Sequence, residues 1–120
     1  MPETSPDFAV RLARDPAEVE AAQHLRYRVF IQELGGDGDL VDHARELEID
    51  RYDPFFDHLL LLDRARGETV RDQVVGVYRL LSEDGAARAG QFYSEDEYDL
   101  DLLRKSGRRL LELGRSCVHP

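Results

Sequence analysis

His58–Asp63 reads HLLLLD and Val74–Leu81 reads VVGVYRLL. Both runs are apolar, one rich in Leu and the other in β-branched residues. The polar segment Arg64–Gln73, containing Gly67, separates them, and this pattern predicts a β-hairpin. Toward the N-terminus, Phe8–Arg14 places Phe8, Val10 and Leu12 on one side at strand spacing. Asp15-Pro16-Ala17-Glu18 then reads as a helix start. Asp15 can cap, Pro16 suits the first helical position, and Glu18 stands where a capping box places its acid. The helix is predicted to run to about Leu34 and to stop at Gly35-Gly36. Residues 35–57 offer no period and predict a long loop, a length usually functional or mobile. Beyond the hairpin, Ser82–Gly90 predicts a second loop. Ser94 can cap a short helix over roughly Glu95–Arg104, broken by Gly107, and Arg109–Val118 predicts a final strand. This order implies an α/β (α+β) fold: a mixed, mostly antiparallel sheet with helices on its faces.

A chain of 120 residues allows one domain, residues 1–120, with a modest core. Its net charge of −9 argues against general nucleic-acid binding, which relies on a positive surface. A single cysteine rules out an internal disulfide framework and fits a reducing, cytoplasmic setting. The first ten residues lack the basic start and apolar stretch of a signal peptide. The longest apolar run, Leu59–Leu62, is far too short for a transmembrane segment. Charge is unevenly spread: Ser82–Asp101 holds seven acids and one arginine, whereas Leu102–Pro120 holds five basic residues and one acid. A basic end on an acidic chain can dock an acidic partner locally. The chain stops directly after its last predicted strand, so a domain cut off after the fourth strand, its N-terminal half only, is expected.

Several charges fall in apolar surroundings. Arg26 lies among Ala22, Val29 and Phe30 on one helix face, while Arg28 points elsewhere. Glu48-Ile49-Asp50-Arg51-Tyr52-Asp53 alternates acids with apolar and aromatic residues, and Asp50 and Asp53 can face one cation. Arg79 interrupts a core-like strand. Glu112 sits in a Leu-rich strand with Arg115 three residues on. Gly114 between them suggests a bulge that returns both to one side. A snorkelling arginine or turn-forming aspartates explain such residues singly. Together the three cations and three anions would make a neutral cluster, which favours a site. Cys117 and His119 share a strand face, but strand cysteines are mostly small core residues. Asp37, Asp39 and Glu48 fit a calcium loop poorly, because Val41 and Asp42 occupy a ligand and a glycine position. The histidines show no metal-ligand spacing, so no metal is expected, and no phosphate-binding glycine motif is present.

Leu25–Phe30, Glu48–Asp53, Gly76–Leu81 and Glu112–Pro120 together resemble the ornithine-lipid N-acyltransferases of the GNAT superfamily, relatives of the acyl-homoserine-lactone synthases. The resemblance implies a GNAT-like sheet and a transferase of lipid metabolism: an L-ornithine N(alpha)-acyltransferase moving a 3-hydroxyacyl chain from acyl carrier protein to the α-amine of ornithine. The product would be lyso-ornithine lipid, in ornithine lipid biosynthesis. It implies no bound cofactor, the carrier's phosphopantetheine thioester being donor substrate. It also implies a cytoplasmic location with room for peripheral contact at the inner face of the membrane. Carried over residue by residue, Glu112 and Arg115 are catalytic, and Arg26, Phe30, Asp50, Asp53 and Arg79 bind substrate. Arg104, Lys105, Arg108 and Arg109 are the docking candidates for the acidic carrier. The absence of tryptophan departs from the lactone synthases. Their chemistry, with S-adenosylmethionine as acceptor, is the alternative reading. An inert acceptor-binding fragment is another.

Overall fold

The computed structural model describes residues 5–91 and 111–119, and for Arg115 the backbone alone. Strands β1 (Phe8–Leu12), β2 (Asp57–Asp63), β3 (Val74–Ser82) and β4 (Leu111–Val118) lie in that order in one sheet, each antiparallel to the next. Helix α1 (Pro16–Arg26) follows β1, α2 (Val70–Gln73) sits inside the hairpin connection, and α3 (Glu83–Ala89) follows β3. The mixed α/β architecture and the central hairpin are as predicted. The segment predicted to form a helix over Glu95–Arg104 lies outside the described residues.

Asp15 caps α1 by accepting from the Glu18 N–H at 2.9 Å, with Pro16 opening the first turn. Glu18 does not close a capping box on Asp15. Its carboxylate accepts the Arg14 N–H and pairs with the Arg11 guanidinium, tying α1 to β1. Past Arg26 the helix widens to a π-helix over Tyr27–Glu33, and Gly35 ends it at φ 75°, a left-handed conformation that suits glycine.

One sheet face carries the core. Leu60, Leu62, Val74 and Val77 pack against Ala21, Ala22 and Leu25 of α1, with Ala9 and Ala13 at the margin. The small alanines on both elements let the helix lie close to the sheet, so the bulkier side of β1 faces away. Phe8, Val10 and Leu12 are exposed there. With Leu59, Leu61, Tyr78 and Val118, Val10 borders an apolar groove of about 470 Å³.

Residues 35–57 form a loop as expected, largely exposed over 35–46 but anchored beyond: Asp42 bridges Leu47, Leu47 is buried, and Asp53–Phe55 forms a 3-10 turn. Tyr52 and Phe56 of this loop join Leu81 and Ala86 in a second apolar cluster. The second loop expectation is corrected. Ser82–Gly90 is not a loop but α3, with Ser82 accepting from the Gly85 N–H and Gly90 closing it at φ 96°. Gly85 hides this helix from propensity reasoning. Glycine is needed there because a Cβ would lie 2.6 Å from the Phe55 carbonyl oxygen.

Candidate active site

Ala22 and Arg26, one turn apart on α1, point into the protein and are wholly buried. A buried guanidinium must find carboxylates, and the loop over residues 48–53 supplies them. Arg26 forks onto Asp53 through Nη1 to Oδ1 at 2.7 Å and Nη2 to Oδ2 at 2.8 Å. Its Nε donates to Glu48 Oε1 at 2.8 Å, and Nη2 also donates to the Glu48 carbonyl at 2.6 Å. Arg79 reaches the same acids from β3. Its Nη1 donates to Asp50 Oδ1 at 2.7 Å and Asp53 Oδ1 at 2.9 Å, and its guanidinium stacks 4.1 Å from the centre of the Phe56 ring.

Asp53 is the hub. It also accepts from Gln23 Nε2 at 3.2 Å and the Asp50 N–H at 3.1 Å. Burial alone would raise its pKa, but Arg26 and Arg79 outweigh burial and hold it well below the usual carboxylate range. Burial likewise works against the Arg26 charge and is overcome by Asp53 and Glu48, leaving that guanidinium above its ordinary value. Asp50 differs. Half-buried, it uses Oδ1 to accept from Arg79 and from the N–H groups of Tyr52 and Asp53, while its Oδ2 has no partner among the described residues. Four residues expected from the sequence therefore converge: Arg26, Asp50, Asp53 and Arg79.

Glu48, the first acid of the alternating run, joins the cluster, and Gln23 and His58, which sequence reasoning did not assign to it, complete it. Gln23 stands three residues before Arg26 on the same helix face, and His58 shares the inward side of β2 with Leu60 and Leu62. His58 Nε2 lies 3.0 Å from the Asp53 carbonyl oxygen, and burial pushes its pKa below the ordinary value. The neutral ring thus donates from Nε2.

Strand β4 carries a bulge just beyond Gly114, at Arg115 and Ser116, while Gly114 itself is paired. Arg79 stands opposite Gly114 and Val77 opposite Cys117, so Arg115 and Ser116 together face Tyr78 alone. N-terminal to the bulge, Glu112 is half-buried opposite Leu81, on the sheet face that also holds Arg79. A Cβ added at Gly114 would meet nothing within 4 Å among the described residues. Phe30, in the π-helix, is half-buried. The side chain of Arg115, and Arg104, Lys105, Arg108 and Arg109 entirely, lie outside the described residues. Cys117 faces the core cluster, and burial pushes its thiol up to about 11, which removes it as a nucleophile at neutral pH. Among the described residues no cluster of His, Cys, Asp and Glu could hold a metal, and no helix is long and apolar enough to cross a membrane.

Residues 25–120 match the family described as Acetyltransferase (GNAT) domain. The chain is 58% identical over 113 residues to an L-ornithine N(alpha)-acyltransferase of Rhodobacter capsulatus, covering 94% of this chain and 44% of the relative. Proteins of the same name from Brucella abortus and Rhizobium meliloti are each 46% identical, over 92% and 95% of this chain and 40% and 39% of the relatives. The chain thus spans less than half the length of these relatives. The crystal structure of the AHL synthase LasI aligns with a TM-score of 0.59 at 21% identity, over 97% of this chain and 55% of that one, a likeness of fold.

Proposed function

Because the chain belongs to the GNAT acetyltransferase-domain family, we propose that the protein containing it is an N-acyltransferase that transfers a 3-hydroxyacyl group from acyl carrier protein to the α-amine of L-ornithine, giving lyso-ornithine lipid in the cytoplasm. The names of its relatives support the acceptor. One geometric observation carries the reading. A connected set of ion pairs, Arg26 with Glu48 and Asp53, and Arg79 with Asp50 and Asp53, lies on the sheet face that also holds Glu112. Asp50 keeps one carboxylate oxygen without a partner among the described residues.

Arg26 and Asp53 saturate each other in this reading and act as positioning residues. Asp50 binds an ammonium group of the acceptor, with Phe30 as an apolar wall. Arg79 and Arg115 pair with the acceptor carboxylate or orient the acids. A thioester is attacked only by a neutral amine, so Glu112 takes the proton, directly or through water. The C–N bond forms, and the thioester oxygen becomes an oxyanion stabilised by a backbone N–H freed at the bulge. Glu112 releases that first proton to solvent and takes a second from the newly bonded nitrogen; the intermediate then collapses, the C–S bond breaks, and this second proton passes to the departing thiolate. The apolar groove on the outer sheet face offers a surface for the acyl chain. The basic residues Arg104, Lys105, Arg108 and Arg109 dock the acidic carrier, and reversing two of them is expected to raise its KM in a salt-dependent way.

The test is Glu112→Gln beside Asp50→Asn in the protein that contains this chain. Loss of the base is expected to lower kcat by about 100-fold or more with KM little changed. Asp50→Asn is expected to act mainly on the KM for ornithine. Unaltered turnover in Glu112→Gln would overturn the assignment of the base.

A further inference from the structure

Although the chain carries a net charge of −9, three arginines converge on one concave pocket of about 300 Å³ between α1, the β2–β3 connection and the end of β4. Arg28 Nη1 and Arg66 Nη2 point at the same atom, His119 Nε2, at 3.0 and 3.3 Å. Arg71 Nη2 approaches from another wall, 2.9 Å from His24 Nδ1. None of the three forms an ion pair among the described residues. Asp72, at the pocket wall, makes no ion pair with them. His119 lies at the far end of β4 from Glu112, about 23 Å away along an extended strand. The pocket is therefore distinct from the acyl-transfer centre proposed above and owes nothing to that reading.

We propose that this pocket binds a phosphoryl group, free or as a phosphate ester. Two guanidiniums meeting at one imidazole nitrogen repel each other, and they stay together at lower cost when an anion lies between them. A neutral imidazole can accept from only one donor at a time through Nε2, so the two forks carry more N–H groups than that nitrogen can satisfy. A phosphate offers several acceptor oxygens to forks arriving from different walls, whereas a carboxylate offers two in one plane. The volume exceeds that of a bare phosphate and leaves room for its ester. Arg28, read from the sequence as pointing away from the apolar face, is half-buried at this pocket.

Titration of the full chain at low salt with inorganic phosphate, phenyl phosphate and acetate, followed by calorimetry and amide chemical shifts, tests the proposal. Both phosphates are expected to bind at least tenfold more tightly than acetate, with shifts centred on Arg28, Arg66 and His119. The pair Arg28→Gln and Arg66→Gln is expected to weaken phosphate at least tenfold. Arg28→Lys should keep most of the binding, and Arg51→Gln, at an exposed site elsewhere, should leave it within twofold. Equal affinity for phosphate and acetate, or undiminished binding in the double variant, would overturn it. A last arm uses phosphatidylglycerol vesicles against phosphatidylcholine vesicles. Binding to the anionic vesicles that inorganic phosphate displaces identifies a lipid headgroup as the source. Binding that phosphate cannot displace would contradict the pocket.

Discussion

Removing the Asp53 carboxylate should cost more than any other single change in the described structure. Asp53→Ala deletes the fork from Arg26, the 2.9 Å bond from Arg79 Nη1, and the acceptor for Gln23 and the Asp50 N–H. Two guanidiniums, 0% and 2% exposed, are left close together with Glu48 and Asp50 among their remaining partners. Breaking a buried pair from one side costs about 3–5 kcal/mol, a large share of the roughly 5–15 kcal/mol expected for a domain of this size. The midpoint should fall by roughly 10–25 °C. Urea unfolding followed by far-UV circular dichroism and tyrosine fluorescence measures the change. The cycle Arg26→Met with Asp53→Leu adds a sharper reading. Apolar replacement of both partners should be less damaging than the sum of the singles by at least about 2 kcal/mol. A single-variant loss below about 1 kcal/mol, or additive singles, would refute the connected network.

Glu18 supplies a pH prediction. Its pKa is lowered to about 2, chiefly by its hydrogen bond with Arg11, so its stabilisation is present above the unfolded carboxylate value and is lost as pH falls from about 4.5 toward 2. Because Arg11 is partly open to water, the contribution should be about 1–2 kcal/mol. Glu18→Gln should flatten this acid limb, and an unaltered limb would exclude the role. Asp53 acts in the same direction, since its pKa is lowered too. Gly85→Ala should destabilise by about 1–3 kcal/mol, because its Cβ would collide with the Phe55 carbonyl, whereas Gly114→Ala should stay within about 0.5 kcal/mol. Equal effects at the two glycines would contradict the packing described. Cys117, with its thiol raised to about 11, should react with iodoacetamide at least tenfold more slowly in the native chain than in urea.

The parts of this fold that local chemistry dictates were legible in the sequence. The hairpin followed from two apolar runs around a polar connection, and the α1 start from Asp15 and Pro16. A bulge in β4 was suggested by Gly114 between Glu112 and Arg115, and the structure places one just beyond it, at Arg115 and Ser116. Arg26, Arg79, Asp50 and Asp53 could be grouped because charges in apolar stretches must find one another. The rest depended on tertiary contacts. Gln23 and His58 carry no such mark, since a polar residue on a helix or strand is ordinary until an aspartate lies over it. The anchoring of residues 35–57 comes from Leu47, Tyr52 and Phe56, which are too irregularly spaced to show a period. Helix α3 was hidden by a glycine kept for close approach to Phe55. The outward side of β1 was unreadable because the choice between Phe8, Val10 and Leu12 and the alanine side depends on how closely α1 approaches.

The most direct test offers the protein containing this chain a 3-hydroxyacyl carrier protein with equimolar L-ornithine and S-adenosylmethionine, and identifies the acylated product by mass spectrometry. The account predicts N-acylornithine bearing the chain on its α-amine, lost when Glu112 is replaced by Gln. An acyl-homoserine lactone, or no acylated amine at all, would contradict it.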